Sequence, residues 1–135
     1  MIDHGDRERH QQQIMPKRRL NNRIKKTRTE KIGLSCPACW TTTLTATCSK
    51  TPTAATVEHI VPLFQGGTNS VDKNIEIICL SCNQARNSLL QHYQNRNVTV
   101  PIEYWQLSLI RSYSGVINSY YREFHEFFLK VRYSQ

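Results

Sequence analysis

Apolar and polar positions divide the chain into three stretches. Residues 1–31 are polar and charged, with Leu20 and Ile24 placed for one side of a helix. That stretch reads either as a helix or as an arm that orders on a polyanion. Residues 32–95 carry short apolar runs between turn signals. The Thr- and Ala-rich residues 41–56 suit short strands, with a turn at Ser49-Lys50-Thr51-Pro52. A strand is expected over 56–61, stopped by Pro62, and a second over 75–78. The paired glycines in Gln65-Gly66-Gly67-Thr68-Asn69 place a loop between them. A helix is expected over 83–94, with Ala85, Leu89, Leu90 and Tyr93 near one face. Residues 96–135 read as helical, opening after Pro101 and punctuated by Gly115. Ile102, Trp105, Leu109 and Ile110 suggest one amphipathic helix. Ile117, Tyr120, Tyr121, Phe124, Phe127, Phe128 and Val131 suggest another, as a core or a homodimer face. There are no internal repeats. The pattern predicts an α+β fold.

Length and charge narrow the classes. The chain has 135 residues, about one domain's worth, and a modest core for which a metal is a common staple. Its net charge is +8, which favours a polyanion partner, nucleic acid first. The charge is uneven. Residues 1–31 hold ten Lys/Arg against four Asp/Glu, a net of +6, and residues 32–135 hold eight against six, a net of +2. Lys17, Arg18, Arg19, Arg23, Lys25, Lys26 and Arg28 form the densest basic run and are the expected DNA-contacting residues. No apolar run approaches the roughly 20 residues of a membrane span, and the N-terminus has no apolar signal region, so no membrane partner and a cytoplasmic location are expected.

Thiols stay reduced in the cytosol, so paired cysteines read there as metal ligands. Cys36-Pro37-Ala38-Cys39 and Cys79-Leu80-Ser81-Cys82 are two C-x-x-C knuckles. Two such pairs complete a closed four-thiolate site for structural Zn²⁺, with metal–sulfur distances of about 2.3 Å. A redox pair and an iron–sulfur centre are the alternatives. Cys48 has no partner at ligand spacing and is expected to have no role.

Between and after the knuckles run Val57-Glu58-His59-Ile60-Val61-Pro62, Gly66-Gly67, Asp72-Lys73-Asn74-Ile75 and Cys82-Asn83-Gln84-Ala85-Arg86. Over roughly residues 34–90 this order of motifs resembles the zinc-bearing form of the HNH endonucleases. The resemblance implies a ββα-metal (His-Me finger) core; the flanks lie outside it, and their charge and periodicity make residues 1–31 a basic DNA-contacting arm and 96–135 a helical C-terminal extension around a nuclease core of 32–95. The resemblance also implies a DNA endonuclease that leaves 5′-phosphate and 3′-hydroxyl ends. His59 matches the general base, and imidazole suits that work because it titrates near neutrality. Glu58 and Asn83 match ligands of a catalytic divalent ion. Asn74 matches the central residue of the motif, which fixes the loop. Arg86, one helical turn beyond Asn83, is expected at a phosphate.

Two positions depart from the commoner pattern: Glu58 stands where Asp is usual, and Asn83 where many members have His. Both keep an oxygen donor, which favours Mg²⁺ or Mn²⁺. His4, His10, His92 and His125 lack such a context and read as surface or packing residues. The rival reading is a non-catalytic zinc module that binds nucleic acid.

Overall fold

A computed structural model describes residues 17–46, 50–111 and 119–133. His4, His10, Cys48, Gly115 and Ile117 lie outside the described residues, and the side chains of Lys17, Arg18, Arg19, Leu109 and Tyr120 are not among those described. The regular elements are helix α1 (Lys17–Lys31), strand β1 (Ala55–His59), strand β2 (Ile75–Cys79), and helices α2 (Leu80–Asn95), α3 (Leu107–Arg111) and α4 (Ser119–Tyr133). Single 3-10 turns occupy Leu63–Gln65 and Ile102–Trp105.

β1 and β2 form an antiparallel pair, with Ala55 opposite Cys79, Val57 opposite Ile77 and His59 opposite Ile75. β2 reads Ile-Glu-Ile-Ile-Cys; all but Glu76 are buried, so the strand is apolar on both faces. Such a strand must be covered on both sides, and α1 and α2 both pack against the sheet. β1 stops at His59, before Pro62, which sits at the N-cap of the first 3-10 turn. Ahead of β1, the described residues from 41 to 54 make isolated bridges, Ser35 with Thr43 and Thr45 with Ala54, instead of the expected short strands.

α2 begins at Leu80, earlier than the expected residue 83. Cys79 is extended and caps it, so the second cysteine knuckle forms the helix's first turn. Two of that turn's orphan N–H groups find acceptors outside the helix: Leu80 N–H donates to Ala54 O at 2.9 Å and Ser81 N–H to Pro52 O at 3.1 Å.

One apolar core runs from Cys36 to Phe128. The aromatic stripe of α4 belongs to it. Tyr121, Phe124 and Phe128 are buried, and Phe124 stacks on Tyr93 of α2 with ring centroids 5.8 Å apart. Tyr121, Phe124 and Phe128 of the face considered for a homodimer thus serve the chain's own core. After Pro101 a 3-10 turn comes first, because Gln106 is extended and separates it from α3. His92 packs against Tyr93 and Phe127, with centroids 5.1 and 4.7 Å away.

Candidate active site and metal centre

The two knuckles meet. One ligand sulfur from each of Cys36, Cys39, Cys79 and Cys82 falls within 4.8 Å of every other, and three of the four residues are buried. The first knuckle turns tightly: Trp40 N–H donates to Cys36 O at 2.8 Å, and Trp40 adopts φ 63°. The second is held by β2 and the start of α2. Cys79 N–H points at Cys36 Sγ, 3.3 Å away. Hydrogen bonds from Cys36 and Cys82 hold the Cys79 thiol down to about 3, so a thiolate is favoured there. Closely grouped sulfurs, N–H donors aimed at them and burial suit a soft tetrahedral ion such as zinc.

Sequence reasoning missed one residue at this centre. Arg132 Nε donates to Cys82 Sγ at 3.3 Å, and Arg132 Nη2 lies 3.9 Å from Cys39 Sγ. Burial opposes its charge, but Cys82 and Cys39 more than offset that and hold the guanidinium protonated. No local signal joins residue 132 to cysteines 50 and 93 positions away.

The second site is a cleft of about 370 Å³ lined by Glu58, His59, Leu63, Arg86, Asn87 and Trp105, among others. His59 ends β1, and its Nε2 lies 2.8 Å from Asn69 Oδ1 on the glycine loop. The tautomer that carries its proton on Nε2 donates to that oxygen and keeps its lone pair on Nδ1. Glu58 accepts the backbone N–H of His59 at 3.0 Å through Oε1 and Arg86 Nε at 3.2 Å through Oε2. Burial pushes the Glu58 carboxyl above the ordinary carboxylate range, although Arg86 pulls the other way.

Asn74 fixes the loop with both ends of its amide. Oδ1 accepts Val61 N–H at 2.8 Å, and Nδ2 donates to Val61 O at 3.0 Å and Thr68 O at 2.8 Å. Gly67 completes that approach, since a Cβ there would overlap the Val61 carbonyl.

Residues 36–89 match the family model described as HNH endonuclease. That stretch is an HNH domain. Its nuclease-type fold accounts for the cysteine cluster and for the β1, loop, β2 and α2 order around His59. No curated protein and no solved structure matches the chain.

Within the HNH domain, two residues sit differently from expectation. Arg86, expected at a phosphate, is only 2% exposed. Besides Glu58, it donates to Trp105 O at 2.9 Å, to Ile60 O and to His59 O. It is an internal tie, because its donors are spent on the protein. Asn83 Nδ2 donates to Thr56 Oγ1 at 3.0 Å and Val57 O at 2.9 Å, fastening α2 to β1. It is not among the cleft-lining residues, whereas Asn87, one turn later, is. In the basic arm, Arg23 pairs with Asp72 at 3.1 Å on the surface, and Lys25 and Lys26 are exposed. Among the described residues, no helix is long and apolar enough to cross a membrane.

Proposed function

We propose that the protein is a metal-dependent DNA endonuclease in which His59 is the general base. The observation that carries this reading is the His59–Asn69 pair inside the HNH match, with His59 lining the cleft. Asn69 fixes the ring so that Nδ1 can take a proton from a water. Asn74 and Gly67 fix the loop that carries Asn69. Phosphodiester hydrolysis by this route leaves a 5′-phosphate and a 3′-hydroxyl.

Glu58 and an amide oxygen from α2, that of Asn83 or Asn87, would hold a divalent cation such as Mg²⁺ or Mn²⁺. The donor set fits a hard ion. A carboxylate offers about four lone-pair directions, and Glu58 uses one toward Arg86 and one toward the His59 N–H. Such an ion supplies charge relief at the phosphate and at the leaving oxygen. The four cysteines hold structural zinc away from the chemistry. Double-stranded DNA is the substrate, and the exposed basic side chains of α1 hold its backbone, which sets register but not sequence. Incubating supercoiled plasmid with Mg²⁺ or Mn²⁺ tests the reading, with cleavage expected in wild type and not in His59→Ala.

One observation favours the rival, a non-catalytic zinc module that binds nucleic acid. The Glu58 carboxylate already has a cationic partner in Arg86. DNA binding without metal-dependent cleavage, unchanged in His59→Ala, would establish it.

A further inference from the structure

Gln65 ends the 3-10 turn that leads into the glycine loop, and its side chain reaches a residue 35 positions away. Its amide pairs with Val100 through both ends: Oε1 accepts Val100 N–H at 3.1 Å, and Nε2 donates to Val100 O. Oε1 also accepts the Trp105 indole N–H at 3.0 Å. Both lone pairs of that oxygen are used, and a reversed amide would set N–H groups against two donors, so the orientation is fixed. Val100 and Trp105 bracket the turn after Pro101, and both are buried. From Trp105 the contacts run on to the cleft. Its carbonyl accepts Arg86 Nη1 at 2.9 Å, and the guanidinium carbon stands 5.5 Å from its ring centre. Arg86 Nε then donates to Glu58 Oε2 at 3.2 Å. Trp105, Arg86 and Glu58 line the cleft, and Gln65 stands behind them, outside the lining.

We propose that Gln65 is a positioning residue for the cleft: by fixing residues 100–105, beyond the HNH match, it sets the Glu58 carboxylate that would hold the catalytic cation. Between Asn95 and Ile102 the chain forms no helix or strand, so buried backbone groups there need partners from elsewhere. Gln65 supplies both partners of Val100 and one for the indole of Trp105. Without it, two N–H groups and a carbonyl lose those partners in buried surroundings, and the turn is no longer pinned at either end. Arg86 is tied to the Trp105 carbonyl and follows it. Glu58 is gripped by Arg86, and a ligand carboxylate is aimed by the groups that hydrogen-bond to it. Gln65 also belongs to the turn ahead of Asn69, the partner of His59, so it joins the two arms of the cleft. The inference rests on the proposed role of Glu58 as a metal ligand and not on the role of His59.

The test uses the full chain loaded with zinc. Electron paramagnetic resonance of free Mn²⁺ gives the affinity for the cation, with Glu58→Gln marking the binding that belongs to the cleft. Hydrogen exchange read by mass spectrometry gives the protection of residues 100–105. Gln65→Met keeps the length and removes all three bonds. It should bind Mn²⁺ roughly 10-fold more weakly, the low end for a residue supporting a metal ligand. Its peptides over 100–105 should exchange faster while those over 75–89 keep their protection. In plasmid cleavage below Mn²⁺ saturation, kcat should fall roughly 10-fold with KM for DNA unchanged. Trp105→Phe removes the indole bond alone and should fall between. Added to Gln65→Met, it should cost less than it does by itself, since both act through that bond. Equal Mn²⁺ affinity in Gln65→Met and wild type overturns the proposal, and loosening of 100–105 without it leaves Gln65 a structural tie only. If Gln65→Met does not fold, Trp105→Phe against wild type makes the comparison, and equality there overturns it too. If wild type binds Mn²⁺ but cuts no DNA, the nuclease reading fails and the Mn²⁺ affinities still decide for or against Gln65. A wild type that binds no Mn²⁺ overturns the proposal together with the metal role of Glu58.

Discussion

Arg86 Nε lies 3.2 Å from Glu58 Oε2, and the arginine is buried. The pair joins α2 to the end of β1, and the remaining donors of Arg86 tie in the Trp105, Ile60 and His59 carbonyls. Removing one member of a buried pair strands the other. Arg86→Ala should therefore destabilise the protein by about 3–5 kcal/mol. Arg86→Lys should lose a good part of that, because an ammonium cannot reproduce the fork. Urea unfolding checks both. A loss within error of zero for Arg86→Ala would restore the phosphate-contact reading.

Glu58 gives a pH dependence with a definite sign. Its folded-state carboxyl titrates above its usual range, chiefly through burial. The folded chain thus holds this proton where the unfolded chain has released it. Between the two pKa values the unfolded state binds fewer protons, so this group makes stability fall as pH rises and recover on acidification. Glu58→Gln cannot titrate. Its stability relative to wild type should improve as pH rises through that window, measured as the difference in urea midpoints without added divalent ions. A constant difference across the window would contradict this.

Asn74 shows how much of the loop rests on one amide. Its three hydrogen bonds to Val61 and Thr68 are lost together in Asn74→Ala, at about 0.5–1.5 kcal/mol each. Asn74→Asp keeps the acceptor for Val61 N–H but turns the donor into an acceptor against two carbonyls. It should be at least as damaging as Asn74→Ala. Thermal unfolding ranks the three proteins, and an Asn74→Asp as stable as wild type would refute the assignment.

The cysteine cluster ties the first knuckle to β2 and α2, so metal affinity contributes directly to folding. A strong chelator should lower the melting temperature and cost β-sheet signal in circular dichroism, with recovery on adding Zn²⁺. Cys39→Ser should reproduce the loss. An unchanged melting curve after zinc has been shown to leave would contradict it.

Much of this was legible in the sequence because it is local. Strand β1 was expected over 56–61 and runs Ala55–His59; β2 was expected over 75–78 and runs Ile75–Cys79. The knuckles announced a common metal by spacing alone. The start of α2 was misplaced because a C-x-x-C turn looks like loop until Cys79 is seen capping a helix. Arg86 carried a usable signal that charge obscured. It shares a helical face with Cys82, Leu89 and Tyr93, all buried, so the period already placed it inside. Asn69 was hidden in a glycine loop, where an Asn reads as turn chemistry. Arg132 gave no signal and Trp105 only that of an apolar helical face, since their partners are brought close only by tertiary packing.

Plasmid nicking by wild type and His59→Ala tests the central claim most directly. With Mg²⁺ or Mn²⁺, wild type should convert supercoiled plasmid to open-circular or linear product, and chelation should stop it. His59→Ala, with the same zinc content and melting temperature, should be slower by about 10²–10⁴-fold, the usual contribution of a general base. Equal rates in the two proteins, or no cleavage by a zinc-loaded wild type that binds DNA, would contradict the account.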